Sequence, residues 1–304
     1  MKPEEAVLYI LPAQPFRLDL TVWALRRRKE NSYDTWVNGV YKRILVIHGN
    51  PVLIKIKQTA PAPCPKLELT LKGCKSNDCT TALQIIEQTL GVKRNLAAFY
   101  RQTEKDENLS PLFKDLKGLK PPRFPSLFEA IVNGICCQQL SLTVGIILLS
   151  RLSQNYGRAI ENEVQKSFPE PDSLAKSSIL ELRQLGLSRQ KARAIIALSN
   201  EFLSNPVEFE DLEKLDNETV IARLMKYRGV GRWTAEYVLL RGLGRLESFP
   251  GDDKGAGKNL KERLGINRPL SYHEVKSIVS RWHPFEGFVY FHFVIQKLRE
   301  RGVV

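Results

Sequence analysis

The chain has 304 residues, 43% of them apolar and 26% charged, with 46 Lys and Arg against 33 Asp and Glu, a formal net charge of +13 and a pI near 9.5. That length fits two or three domains rather than one small core, and the composition excludes global disorder. No run of about 18 uncharged apolar residues occurs, and the N-terminus lacks the basic, apolar, small-residue pattern of a secretory leader, so neither a transmembrane nor an exported protein is expected. The basic excess divides almost evenly between residues 1–110 and 111–304, which suits a polyanion laid across more than one domain rather than a basic tail. The five cysteines (Cys64, Cys74, Cys79, Cys136, Cys137) show no Cys-x-x-Cys pair and no zinc spacing, so a reducing cytoplasm is the simplest reading.

The first third reads as strands with a few helices. Phe16–Trp23 alternates apolar and polar residues and is expected as a half-buried strand. Val40–Ile47 and Val52–Lys57 flank His48-Gly-Asn-Pro51 as a hairpin, and Lys66–Lys72 alternates again. Helical patterns follow at Thr80–Leu90 and Leu96–Tyr100. Residues 1–110 are therefore expected to form an α+β unit with an antiparallel sheet. Pro121, Pro122 and Pro125 mark a break, beyond which 111–304 reads as helices. Ser126–Asn155 is expected to be two helices split near Gln138-Gln-Leu-Ser141. Ser173–Leu185 and Ser188–Leu203 follow, then a helix capped by Asn217 and running to Lys226. Thr234–Gly242 comes after a Gly-rich turn, Ser271 with Glu274 is a capping box opening a helix to Trp282, and Phe285–Arg299 closes the chain.

Three local features could carry chemistry. In Leu224-Met-Lys-Tyr-Arg-Gly-Val-Gly-Arg-Trp-Thr-Ala-Glu-Tyr237, one helix ends, Gly229 and Gly231 make a tight turn, and another helix begins. Glycines let a phosphate approach the backbone, and the new helix offers it unpaired N–H groups and a positive dipole end. Arg228 and Arg232 add charge. In Phe249-Pro-Gly-Asp-Asp-Lys-Gly255, either Asp252 or Asp253 could present a carboxylate, although an aspartate before a helix is often only a cap. Trp233 and Tyr237, four apart on one helix face, and Trp282 could together stack a flat ring.

Together these motifs resemble the helix-hairpin-helix (HhH-GPD) DNA glycosylase superfamily, and most closely the AlkA-type 3-methyladenine DNA glycosylases (type II). The matching segments are Tyr-Arg-Gly-Val-Gly-Arg-Trp-Thr-Ala, Phe-Pro-Gly-Asp-Asp, Phe128–Ser141, Gly186–Ala192 and Arg281–Phe285. The likeness is strong over 120–300 and looser over 8–73. It implies an α+β fold: an N-terminal antiparallel β-sheet domain with helices, then a two-lobed all-α helix-hairpin-helix glycosylase fold with its hairpin at 224–237 and catalytic loop at 248–256.

The resemblance also implies roles. Asp253 would be the catalytic carboxylate. Trp233, Tyr237 and Trp282 would line the base pocket. Gly229, Val230, Gly231, Arg232 and Thr234 would hold DNA at the hairpin. Gln139 or Leu140 would fill the gap left by a flipped nucleotide. The carbonyls of Met225, Tyr227 and Val230 would hold a structural Na⁺ or K⁺, with no other cofactor required, no iron–sulfur cluster and no zinc. Trp233 stands where strand-nicking relatives have a lysine nucleophile, which implies a monofunctional enzyme. The expected partner is double-stranded DNA containing damaged bases, with no membrane partner, acted on by a monomer in a prokaryotic, nucleoid-associated cytoplasm. The base released would be an alkylated purine such as 3-methyladenine. The alternatives are a neutral lesion (hypoxanthine or 8-oxoguanine), suggested by Lys254 beside the aspartate, and a non-catalytic DNA-binding protein.

Overall fold

The structure, a computed structural model, describes residues 5–304 apart from the side chains of Ser76 and Asn77. Five antiparallel strands, β1 (Glu5–Ile10), β2 (Asp34–Val37), β3 (Val40–Ile47), β4 (Asn50–Gln58) and β5 (Leu67–Lys72), form one sheet in the order β1-β5-β4-β3-β2. The expected hairpin is present, with Ile47 opposite Asn50 across a two-residue turn. Strands β1 and β2 add to the expected sheet. β2 joins β3 through Asn38-Gly39, whose φ angles of 50° and 77° suit the tight turn that a right-handed strand twist favours.

The helices are α1 (Leu18–Arg26), α2 (Ser76–Thr89), α3 (Ala97–Thr103), α4 (Ser110–Asp115), α5 (Leu127–Cys137), α6 (Leu142–Tyr156), α7 (Pro171–Ala175), α8 (Ile179–Gln184), α9 (Arg189–Ser204), α10 (Pro206–Glu210), α11 (Asn217–Leu224), α12 (Arg232–Arg241), α13 (Lys254–Leu264), α14 (Tyr272–Val279) and α15 (Glu286–Arg299). Short 3₁₀ turns occupy Asp211–Lys214 and Ser280–Trp282.

Three sequence expectations change. The segment 16–23 is not a strand: it supplies most of α1, in which every residue except Asp19 is buried. A helix surrounded by protein carries apolar side chains at every phase, so alternation fits it as well as it fits a strand. The single helix expected over 173–185 is two, because Ser178 and Glu181 form a reciprocal capping box that starts α8 afresh. The cap of α11 is Asp216, which accepts from the Thr219 N–H at 2.9 Å, and not Asn217. The split at Gln138–Ser141 is where the sequence puts it, with Ser141 capping α6.

The buried apolar side chains fall into two clusters. One joins the sheet to α5, α6, α9, α11 and α12. The other holds α3, α4, α13, α14 and α15, together with Leu20, Trp23 and Ala24 of α1. Phe99 of α3 packs edge-on against Phe113, Phe285 and Phe288, so residues just before 110 pack with the C-terminal helices. Between the clusters opens a cleft, rimmed by the C-terminal end of α5, the N-termini of α12 and α13, and α15. No described helix is long and apolar enough to cross a membrane.

Candidate active site

The hairpin between α11 and α12 is fixed from below by its apolar residues. Leu224 and Val230 are buried, and the Val230 N–H donates to the Tyr227 carbonyl at 3.1 Å. Gly229 has φ +81°, and a Cβ there would lie 2.8 Å from the Ala194 Cβ, so the position demands glycine twice over. Gly231 is the N-cap of α12 and offers no side chain to its orphan N–H groups. Gly229, Gly231 and Arg232 face the cleft. A phosphate fits there through backbone donors and the helix dipole.

The hydroxyl of Thr234, expected to meet DNA, has a protein partner instead. Thr234 is fully buried against Gly134, and its Oγ1 accepts from the Gln138 side-chain amide at 2.6 Å. The same Gln138 nitrogen donates to the Gly229 carbonyl at 2.7 Å. From α9, Lys191 Nζ donates to the carbonyls of Cys136 and Gln138, at 2.9 and 2.8 Å, closing off the C-terminal end of α5. Gln139 (φ +55°) and Leu140 then project from a braced turn, both exposed at the cleft rim.

The loop carrying the aspartates hangs from Glu236 of α12, which is almost wholly buried. Its carboxylate accepts from the Gly251 N–H at 3.1 Å and the Tyr272 hydroxyl at 2.6 Å, and Lys276 lies 3.4 Å away. Phe249 is buried in the C-terminal core, so the loop is pinned at two points before it reaches the aspartates. Asp252 and Lys254 are exposed on the cleft wall. Asp253 is half-buried and is held by three donors. Oδ1 accepts from the Ala256 N–H at 2.9 Å, as the cap of α13. Oδ2 accepts from Trp233 Nε1 at 3.4 Å and from the Tyr290 hydroxyl at 3.2 Å. The cap and the cleft carboxylate are thus one residue, with one oxygen committed to the helix and the other turned toward the cavity wall.

Trp233 and Tyr237 stack at 5.3 Å between centroids and 19° between planes, and both line the cleft. Trp282 does not join them. It is 2% exposed in the C-terminal core, its Nε1 donates to Asp106 at 2.9 Å, and Arg281 covers its ring. Its indole N–H and one ring face are engaged within the C-terminal cluster. Tyr290 of α15 is the aromatic residue beside Asp253 in its place. Burial first and the Asp253 charge second push the Tyr290 hydroxyl far above its usual range, so it remains protonated and a donor.

Two further cleft residues come from the sheet domain, where the sequence suggested no chemistry. Arg27 and Arg28, just past α1, line the cleft. Arg27 Nη1 donates to the Tyr237 hydroxyl and Nη2 to Asn133 Oδ1, each at 2.7 Å. The only sequence signal was the run Arg26-Arg27-Arg28, in a region expected to follow a strand.

The cavity measures about 1000 Å³ and meets Asp253, the Trp233–Tyr237 pair, the hairpin glycines and the Gln139–Leu140 turn at once. It has room for a nucleoside, with a carboxylate on its wall and backbone donors at its mouth. Of the hairpin carbonyls expected to hold a monovalent cation, that of Tyr227 accepts from Val230, while among the described residues those of Met225 and Val230 accept no hydrogen bond. Open lone pairs on neighbouring carbonyls fit a hard monovalent ion.

Known proteins resemble this chain in sequence and in fold. Residues 132–284 match the family described as HhH-GPD superfamily base excision DNA repair protein. A DNA-3-methyladenine glycosylase of Bacillus subtilis is 27% identical over 212 residues, covering 69% of this chain and 70% of that protein. DNA-3-methyladenine glycosylase 2 of Escherichia coli is 29% identical over 176 residues, covering 58% of this chain and 59% of that protein. The solved structure of a 3-methyladenine DNA-glycosylase from Archaeoglobus fulgidus superposes with a TM-score of 0.84 at 24% identity, covering 97% of this chain and 98% of that one.

Proposed function

Because the chain belongs to the HhH-GPD superfamily of base excision DNA repair proteins, we propose that it is a monofunctional DNA glycosylase that flips a damaged purine out of duplex DNA and releases it by hydrolysis, alkylated purines such as 3-methyladenine being the first substrate class. The observation that carries this reading is Asp253, whose Oδ2 is held by Trp233 and Tyr290 on the wall of a nucleoside-sized cleft that opens at the Gly229–Gly231 hairpin.

The hairpin N–H groups and the positive end of α12 grip a backbone phosphate, and Gln139 or Leu140 enters the stack as the nucleotide leaves it. The flipped base stacks on the aromatic wall built by Trp233 and Tyr237. As the N-glycosidic bond breaks, positive charge develops on the sugar. The Asp253 carboxylate stabilises that charge and orients the attacking water. Its two donors fix its direction, so little reorganisation is needed at the moment of reaction. A monovalent ion on the Met225, Tyr227 and Val230 carbonyls would add positive charge beneath the bound phosphate.

Trp233 supports the monofunctional reading. Its indole fills the place where strand-nicking relatives, by the resemblance, carry a lysine nucleophile, and it is itself committed to Asp253. Double-stranded DNA is the partner, bound by a monomer. Incubation with a duplex bearing 3-methyladenine or 7-methylguanine should release the free base and leave an intact strand with an abasic site, and borohydride should trap no covalent complex. A nicked or trapped product would refute the monofunctional assignment, and absence of base release from any lesion duplex would refute the enzyme.

A further inference from the structure

Gly251 stands two residues before Asp253, and its surroundings leave no room for a side chain. A Cβ there would lie 2.7 Å from both Cδ2 and Cε2 of Tyr272, so the Tyr272 ring rests directly on the loop backbone. The Tyr272 hydroxyl also donates to Glu236 Oε1 at 2.6 Å, while Oε2 of the same carboxylate accepts the Gly251 N–H. One tyrosine of α14 therefore holds the aspartate loop twice, through its ring and through Glu236. Burial first and the Glu236 hydrogen bond second push the Tyr272 hydroxyl up to about 12, so it is a donor at neutral pH. Lys276, one turn further along α14, repeats the attachment. Its Nζ lies 3.4 Å from Glu236 Oε1 and donates to the Phe249 carbonyl at 3.3 Å.

Tyr272 has a second neighbour on the other side of the site. Arg232, the first residue of α12, lines the cleft with the hairpin glycines, and its guanidinium carbon lies 5.9 Å from the Tyr272 ring centre. Its carboxylate partner Glu218 is 3.7 Å away and exposed, a solvent-screened pair that phosphate oxygens can replace. The residue that would meet a phosphate and the loop that carries Asp253 thus share one aromatic ring.

We propose that Tyr272 is a positioning residue that couples phosphate capture at the hairpin to the placement of Asp253. The inference rests on the glycosylase reading and adds a regulation of the same site. An arginine bonded to a phosphate loses the rotamer freedom of an exposed side chain and presents a fixed cation to the Tyr272 ring. The ring so held is the surface on which Gly251 rests, and its hydroxyl fixes the carboxylate that accepts the Gly251 N–H. The Asp253 carboxylate, two residues on, is therefore best aligned when DNA is in the grip, and alignment of that carboxylate is what stabilises the cationic sugar.

The test is a double-mutant cycle on Arg232→Met and Tyr272→Phe, read by duplex affinity and by single-turnover release of 7-methylguanine at saturating protein. Tyr272→Phe should lower the saturated rate about tenfold and leave affinity within about twofold. Arg232→Met should weaken affinity in either background, yet lower the saturated rate, by about fivefold, only where Tyr272 is present. Equal rate losses in both backgrounds overturn the coupling, and so does a Tyr272→Phe protein with the wild-type rate. A second readout needs no chemistry. Amide hydrogen exchange over 249–253 should slow about fivefold when an undamaged duplex saturates the wild-type protein, and should hardly change in Tyr272→Phe or Arg232→Met at equal saturation. Equal protection in all three proteins overturns the proposal. If Tyr272→Phe does not fold, exchange in the wild-type and Arg232→Met proteins decides alone. A wild-type protein that shows the expected protection but releases no base from any lesion duplex overturns the glycosylase reading instead.

Discussion

The Tyr290 hydroxyl donates to Asp253 Oδ2 at 3.2 Å, tying the final helix to the first residue before α13. Trp233 supplies the second donor to the same oxygen. Removing one of two donors to a charged acceptor should cost about 1.5 kcal/mol, or roughly tenfold in rate. Tyr290→Phe is therefore expected to lower single-turnover base release about tenfold with duplex affinity unchanged. An unchanged rate would detach Tyr290 from the chemistry.

Asp253 is both a cap and a cleft carboxylate, and asparagine separates the two duties. Asn caps a helix as well as Asp does, so Asp253→Asn should change unfolding stability by less than ~1 kcal/mol. Base release should fall by at least about a thousandfold, because a neutral amide cannot offset a cationic sugar. Calorimetry and a base-release assay on the same preparation check both halves. Loss of stability with activity retained would leave Asp253 as a cap only.

At Gly229, alanine meets both a positive φ and the Ala194 Cβ. Gly229→Ala is expected to lose ~1–2 kcal/mol of stability and at least tenfold in duplex affinity, as the hairpin shifts away from the phosphate. Denaturant titration and fluorescence anisotropy read the two effects.

His292 links stability to pH. It is fully buried, its ring is hydrogen-bonded to the Phe288 carbonyl at 2.8 Å, and burial lowers its pKa to about 4. The unfolded chain takes up the proton near pH 6.5, while the folded protein resists until about pH 4. Stability from this residue is fully present above pH 6.5 and falls as the pH drops toward 4, by up to about 3 kcal/mol in all. In His292→Asn that part of the slope should disappear, which chemical denaturation at pH 7, 5.5 and 4.5 would show.

The hairpin, the aspartate loop and the split between α5 and α6 were legible because each depends on local chemistry: glycines where the chain turns, a Pro-Gly-Asp turn, a serine that restarts a helix. What was illegible depends on neighbours. Residues 16–23 look like a strand because a helix buried on every side leaves no polar stripe to mark its period. Trp282 looks like a pocket residue from its type and company, yet Asp106, 176 residues earlier, claims its N–H. Tyr290 stands in Phe288-Val-Tyr-Phe-His-Phe293, where several aromatic side chains crowd one helix and spacing alone singles out none of them. Arg27 is the clearest case. Its place on the cleft comes from Tyr237 and Asn133, more than a hundred residues away.

Gln138 bonds the hairpin carbonyl of Gly229 and the Thr234 hydroxyl with one nitrogen, while Lys191 clamps the carbonyl of Gln138 itself. The side chains that would probe the base stack and the glycines that would clasp the strand are therefore tied to each other through Gln138. They behave like the two jaws of a caliper locked at one setting. A double helix bound as proposed would meet both at that one spacing, so the angle imposed on it should be the same for every lesion.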